Sequence, residues 1–228
     1  MEGPKAIIHH FSLFYYLVLV IPILLCIGLL IISFAYFDRD IDYLPFISDI
    51  VMYYPEKKIL SISMTLELFS VLFLILMRNW VFKIIKRGVS KISNTKFGII
   101  RGFMLLFGGL ACFGGIMFST FSDSNSNSFH MFSHHVFFVF FFCYIYLNDY
   151  LSKKLGYPCR DASKGLSIAY SCSSFSFLIF RYYLNDGSDD TKYTTASLLG
   201  YIAFLTLFIK MYIIKNDIPT FGIRVTKI

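Results

Sequence analysis

The 228-residue chain predicts an all-α polytopic membrane protein, a bundle of six transmembrane helices with both termini in the cytosol. Three observations carry that expectation. Hydrophobic residues make up 57% of the chain and charged residues 15%, a balance that a water-soluble domain does not cover with polar surface. Six apolar stretches stand at 11–36, 59–77, 97–120, 131–147, 165–183 and 193–214, each near the roughly 20 residues that cross a hydrocarbon core of about 30 Å. Finally, sixteen Lys and Arg flank the N-terminal arm, the loops after the second and fourth stretches, and the tail, against five on the opposite side; the crowded side is cytosolic by the positive-inside rule. These spans fill the chain as a single membrane domain, so a site must lie in the bundle or its short loops. The net charge of +7 then reflects topology and gives no reason to expect nucleic acid.

Taken in order, a polar arm at 1–10 leads into the first stretch, where Pro22 predicts a kink. That stretch is too long for a signal core and has no small-residue cleavage site directly after it, so it reads as a mature helix. An acidic loop follows, FDRDIDYLPFISDIVMYYPEKK at 37–58. Pro55 falls where its missing N–H is harmless, in the first turn of the second helix, and Glu56 suits the helix dipole there.

The segment 78–96 interleaves Lys83, Lys86, Arg87 and Lys91 with Val81, Ile84, Ile85 and Val89. It reads either as a solvated positive loop or as an interfacial helix on anionic lipid, where each basic residue contributes about 1 kcal/mol. In the third stretch Gly98 and Gly102 have GxxxG spacing, and Ala111 and Gly115 repeat it with small residues, which predicts a face packed closely on another helix. The fourth stretch is dense in Phe. The fifth carries Ser163, Ser167, Ser171 and Ser174 along one side, an acidic NDGSDD loop follows, and the sixth leads into the tail KNDIPTFGIRVTKI.

Three side chains are weak candidates for chemistry. Glu67 is an acid inside a span, about 14 Å from Lys58 along the helix, where an unpartnered ionised group is expensive and often functional. It reads as a neutral acid bonded to a neighbouring helix, or as a proton or lipid-headgroup site. His130 and His134 stand one turn apart, so both can face one way; they could do acid/base work on a headgroup, bind a metal or serve an interface. No spacing marks a third ligand, so no metal site and no cofactor is expected. The five cysteines, Cys26, Cys112, Cys143, Cys159 and Cys172, form no CxxC pair and predict no disulfide framework. No nucleophile elbow, phosphate loop, HExxH or HxxxxD motif occurs, which leaves catalysis without a motif.

One phrase points to a family. LPFISD at 44–49, followed by PE at 55–56 opening a helix, resembles the signature of the damage-regulated autophagy modulator (DRAM) proteins, approximately PYISD and then PPE. The wider family includes the Sfk-type and FRAG proteins, the post-GPI-attachment remodelling factor and the Cwh-type N-terminal domain. LACFGG at 110–115, a His opening the fourth span and IRVT at 223–226 are similar as well. Asp49 and Glu56 favour the DRAM and Sfk branch, whereas Ile50 and Val51 depart from the TG that usually follows ISD.

The resemblance implies a six-span bundle that modulates autophagy, membrane trafficking or lipid distribution without catalysing a reaction. Its alternatives are GPI-anchor lipid remodelling in the Golgi or ER and a structural scaffold. Expected partners are membrane lipids, anionic phospholipid or a GPI lipid, and a membrane protein; expected addresses are lysosome, Golgi, ER or plasma membrane. Physically, Pro45 and Pro55 restrict the backbone, and Ser48 and Asp49 can bond nearby N–H groups. The segment therefore predicts a defined cap over the luminal end, acting as a loop lock or as a recognition surface for a lipid or protein.

Overall fold

The computed structural model describes residues 18, 20–25, 27, 28, 31, 44, 46, 56–86, 92–121, 127–156, 161–184 and 190–214. Every regular element among them is helical. The order is α1 (Glu56–Lys86), α2 (Asn94–Thr120), α3 (Asn127–Lys154), α4 (Asp161–Ile179) continued by a π-helical turn (Phe180–Leu184), and α5 (Asp190–Ile214). The described residues between 18 and 31 are helical too. Four helices are long and apolar enough to cross a membrane: Lys57–Lys86, Asn94–Thr120, Ser128–Lys154 and Thr191–Ile214.

In α1, Leu60, Met64, Leu68, Val71, Ile75 and Phe82 are buried at helical spacing, while Ile62, Leu66, Phe69, Phe73, Leu76 and Trp80 are exposed. An apolar residue set free on the outer face is what a lipid solvent requires. The helix runs on to Lys86, past the apolar run that ends at Met77. A charge inside a sequence reads as a helix end at the interface, yet Arg78 is fully buried here and its partners lie inside the bundle. Lys83 and Lys86 therefore occupy the last turn of the same helix, where cations suit the dipole. Arg87 and Lys91 lie outside the described residues.

Ser93 caps α2, accepting from the Lys96 N–H at 3.3 Å, as serines do at helix starts. Along α2 the small residues divide. A Cβ on Gly114 would stand 2.8 Å from the backbone N of Phe137, and one on Gly115 2.6 Å from Leu68 Cδ1. Gly108 is similarly closed by Ile75. This face, with buried Ala111, presses α2 between α1 and α3. Gly98 and Gly102 have nothing within 4 Å of a would-be Cβ, so the GxxxG pair expected to pack on a helix does not do so among the described residues.

Beyond Lys154, Gly156 takes φ 77° and its N–H bonds the Lys153 carbonyl at 3.2 Å. A left-handed residue of this kind ends a helix cheaply only as glycine. α4 and α5 form the second packed pair, fastened to α3 by the Tyr170 hydroxyl, which donates to the Phe138 carbonyl at 2.9 Å.

Candidate functional site

Two clusters of buried polar side chains stand at the two ends of the bundle. At one end α3 begins with His130 and His134, both buried. The His130 Nδ1–H donates to the Phe121 carbonyl at 2.9 Å, and the two imidazole rings stand 4.4 Å apart, as residues one turn apart on a helix must. His134 Nδ1 pairs with the Tyr182 hydroxyl. Tyr182 comes from the π-helical turn, whose widened geometry re-aims side chains and recurs at functional positions.

The same turn supplies Arg181, whose guanidinium lies 4.0 Å from the centre of the Phe46 ring and 5.6 Å from that of Tyr193. Phe46 belongs to the LPFISD phrase. It is buried at 4% exposure, with its ring 4.4 Å from Tyr193 and 6.1 Å from Phe177. Leu44 holds the phrase down through its N–H, donated to Thr194 Oγ1 at 3.2 Å. Beneath Phe46 is a cavity of about 30 Å³ lined by His134, Ser197, Phe118, Phe177 and Phe204 among others. The Ser197 hydroxyl is buried with no hydrogen-bond partner among the described residues.

At the other end, Lys210 is fully buried and pairs with Asp149 at 2.9 and 3.0 Å. Its ammonium also reaches the Ser163 carbonyl at 3.0 Å and Ser163 Oγ at 2.6 Å, while Ser167 Oγ donates to Asp149 at 2.7 Å. Arg78 donates to Asn148 Oδ1 at 3.1 Å and Ser152 Oγ at 2.9 Å. These bonds tie α1, α3, α4 and α5 together. Of the predicted serine stripe, Ser163 and Ser167 serve this network, whereas Ser171 bonds its own helix at the Ser167 carbonyl.

Glu67 lies between the two ends on the inner side of α1, at 1% exposure. Both carboxyl oxygens are without a hydrogen-bond partner among the described residues, so the bond to a neighbouring helix expected of it is not made there. No three His, Cys, Asp or Glu gather as metal ligands among the described residues. Pro45, Ser48, Asp49 and Pro55 fall outside those residues; Glu56 opens α1, and its side chain is likewise outside the description.

The two histidines thus come together with groups that sequence reasoning missed: Phe46, Arg181, Tyr182 and Ser197. The basic count treats Arg78 and Lys210 as cations at helix ends, whereas both are consumed inside the bundle. A signal was present in the run NDY at 148–150, which interrupts an apolar stretch with an acid able to meet a buried cation.

No curated protein and no solved structure matches the chain. The family model of the Frag1/DRAM/Sfk1/Cwh43P N-terminal domain matches residues 10–221. With nearly the whole chain matched, this integral membrane protein belongs to the Frag1/DRAM/Sfk1/Cwh43P N-terminal domain family.

Proposed function

We propose that this protein is a six-span, DRAM- and Sfk-like membrane protein that acts on lipid distribution, and through it on trafficking or autophagy, without catalysing a reaction. The histidine end faces the lumen or the outside in this reading, because the basic loops then face the cytosol. The observation that carries it is the seating of Phe46 over an aromatic cavity with His134 and Ser197 in its wall. An apolar site with Phe46 in its wall suits an amphiphile, whose polar group meets the wall while its chain stays in hydrocarbon. Asp49 and Glu56, in the same loop and at the helix mouth, would add recognition of a headgroup or of a membrane-protein partner. Lys83, Lys86, Arg87 and Lys91 would hold the opposite face on anionic phospholipid.

A second reading is participation in GPI-anchor lipid remodelling in the Golgi or ER. It is favoured by the His130 and His134 rings 4.4 Å apart beside Tyr182, a set capable of proton transfer at a headgroup.

Deletion of the gene, followed by lipidomics of separated membranes and staining of surface GPI-anchored proteins, tests both. Altered phospholipid distribution with normal GPI staining, and an address in the lysosome or plasma membrane, supports the first. A selective change in GPI-anchor lipid with a Golgi address replaces it by the second. Unchanged lipids in every membrane would contradict both and leave a scaffold.

A further inference from the structure

We infer that the cavity under Phe46 is a binding site for one hydroxyl oxygen, held between His134 and Ser197. His134 commits Nδ1 to Tyr182, which leaves Nε2 as the ring's other polar atom. Ser197 Oγ is buried and unpartnered among the described residues, and both residues line the cavity. A hydroxyl both donates and accepts, so it answers an imidazole nitrogen and a serine hydroxyl together. The other ligand classes fit worse. A hydrocarbon group would leave Ser197 unsatisfied, and a carboxylate or phosphate would carry charge in among phenylalanine rings.

The space, about 30 Å³, accommodates a single water-sized oxygen. That oxygen has two sources: a water, or the hydroxyl of a long-chain membrane alcohol such as a diacylglycerol. The alcohol source rests on the lipid-handling reading above, and the water source does not.

The test uses the full chain in lipid nanodiscs with ¹⁵N-histidine. His134 Nε2 should resonate in the hydrogen-bonded range. Ser197→Ala, which removes the hydroxyl and adds no atom, should move that resonance, while Leu198→Val on the exposed side should not. A photoreactive diacylglycerol supplies the second readout. Labelling within residues 197–204 that falls several-fold in Ser197→Ala supports the lipid hydroxyl; a moved resonance without labelling supports water. Should Ser197→Ala fail to fold, Ser197→Cys, with its weak S–H donor, gives the same comparison. The site is overturned if the serine substitution leaves both resonance and labelling unchanged. Absence of a lipid phenotype on deletion would sink the lipid-handling reading and leave the resonance shift standing.

Discussion

Arg181 lays its guanidinium 4.0 Å from the centre of the Phe46 ring, which joins the π-helical turn after α4 to the LPFISD phrase. The contact is cationic and planar, so Arg181→Lys should keep the charge yet lose the stacking. Either Arg181→Lys or Phe46→Leu should cost about 0.5–2 kcal/mol. Together they should cost less than the sum, because each removes the same contact. Thermal melting in detergent of the two single variants and the double measures this; simple additivity would show that the residues do not act on each other.

Lys210 and Asp149 predict a different pattern. Lys210→Met alone leaves the Asp149 carboxylate without its cation and should cost about 3–5 kcal/mol. Lys210→Met with Asp149→Leu removes both charges and should recover most of that loss, since paired burial is repaid only by the partner. Urea or thermal unfolding of the three proteins is the check, and a double variant as weak as the single would contradict it.

For Glu67 the expected sign is opposite. Its carboxyl makes no hydrogen bond among the described residues, so Glu67→Met should raise stability by about 1–3 kcal/mol, the usual penalty of an unsatisfied buried group. If the stabilised variant also fails to restore the deletion phenotype, the acid serves function at the expense of stability. A fall in melting temperature would mean that it has a structural partner.

The glycines of α2 should separate by face. Gly114→Ala drives a Cβ against the Phe137 backbone and should cost about 1–3 kcal/mol. Gly98→Ala and Gly102→Ala meet open space and should stabilise the helix by up to about 1 kcal/mol. Circular dichroism melts in one detergent compare them, and destabilisation by Gly102→Ala would reveal a helix packed against that face.

Much of the fold was legible because apolar length marks a helix in a membrane without help from tertiary context. The positions of α2 and α5 follow directly from their runs. Helix ends were less legible wherever a charge was buried: Arg78 and Lys210 look like interface residues until Asn148, Asp149 and Ser163 are seen around them. The histidine pair was legible from its one-turn spacing. Phe46, Arg181 and Ser197 were not, since they converge from a loop, a π-turn and α5, and no local pattern records a meeting of distant segments. The family phrase was visible in sequence, but the meeting of its Phe46 with Arg181 was not.

Lipid handling at the Phe46 cavity is read by rescue of the deletion's lipid phenotype with Phe46→Leu, with Asp49→Asn and Glu56→Gln as companions that keep shape and remove charge. Melting temperature is measured beside each. Phe46→Leu should fold, within about 2 kcal/mol of the parent, yet restore the lipid distribution only in small part. Full restoration by Phe46→Leu would show that lipid handling does not run through this cavity, and full restoration by both charge-neutral variants would confine Asp49 and Glu56 to holding the loop.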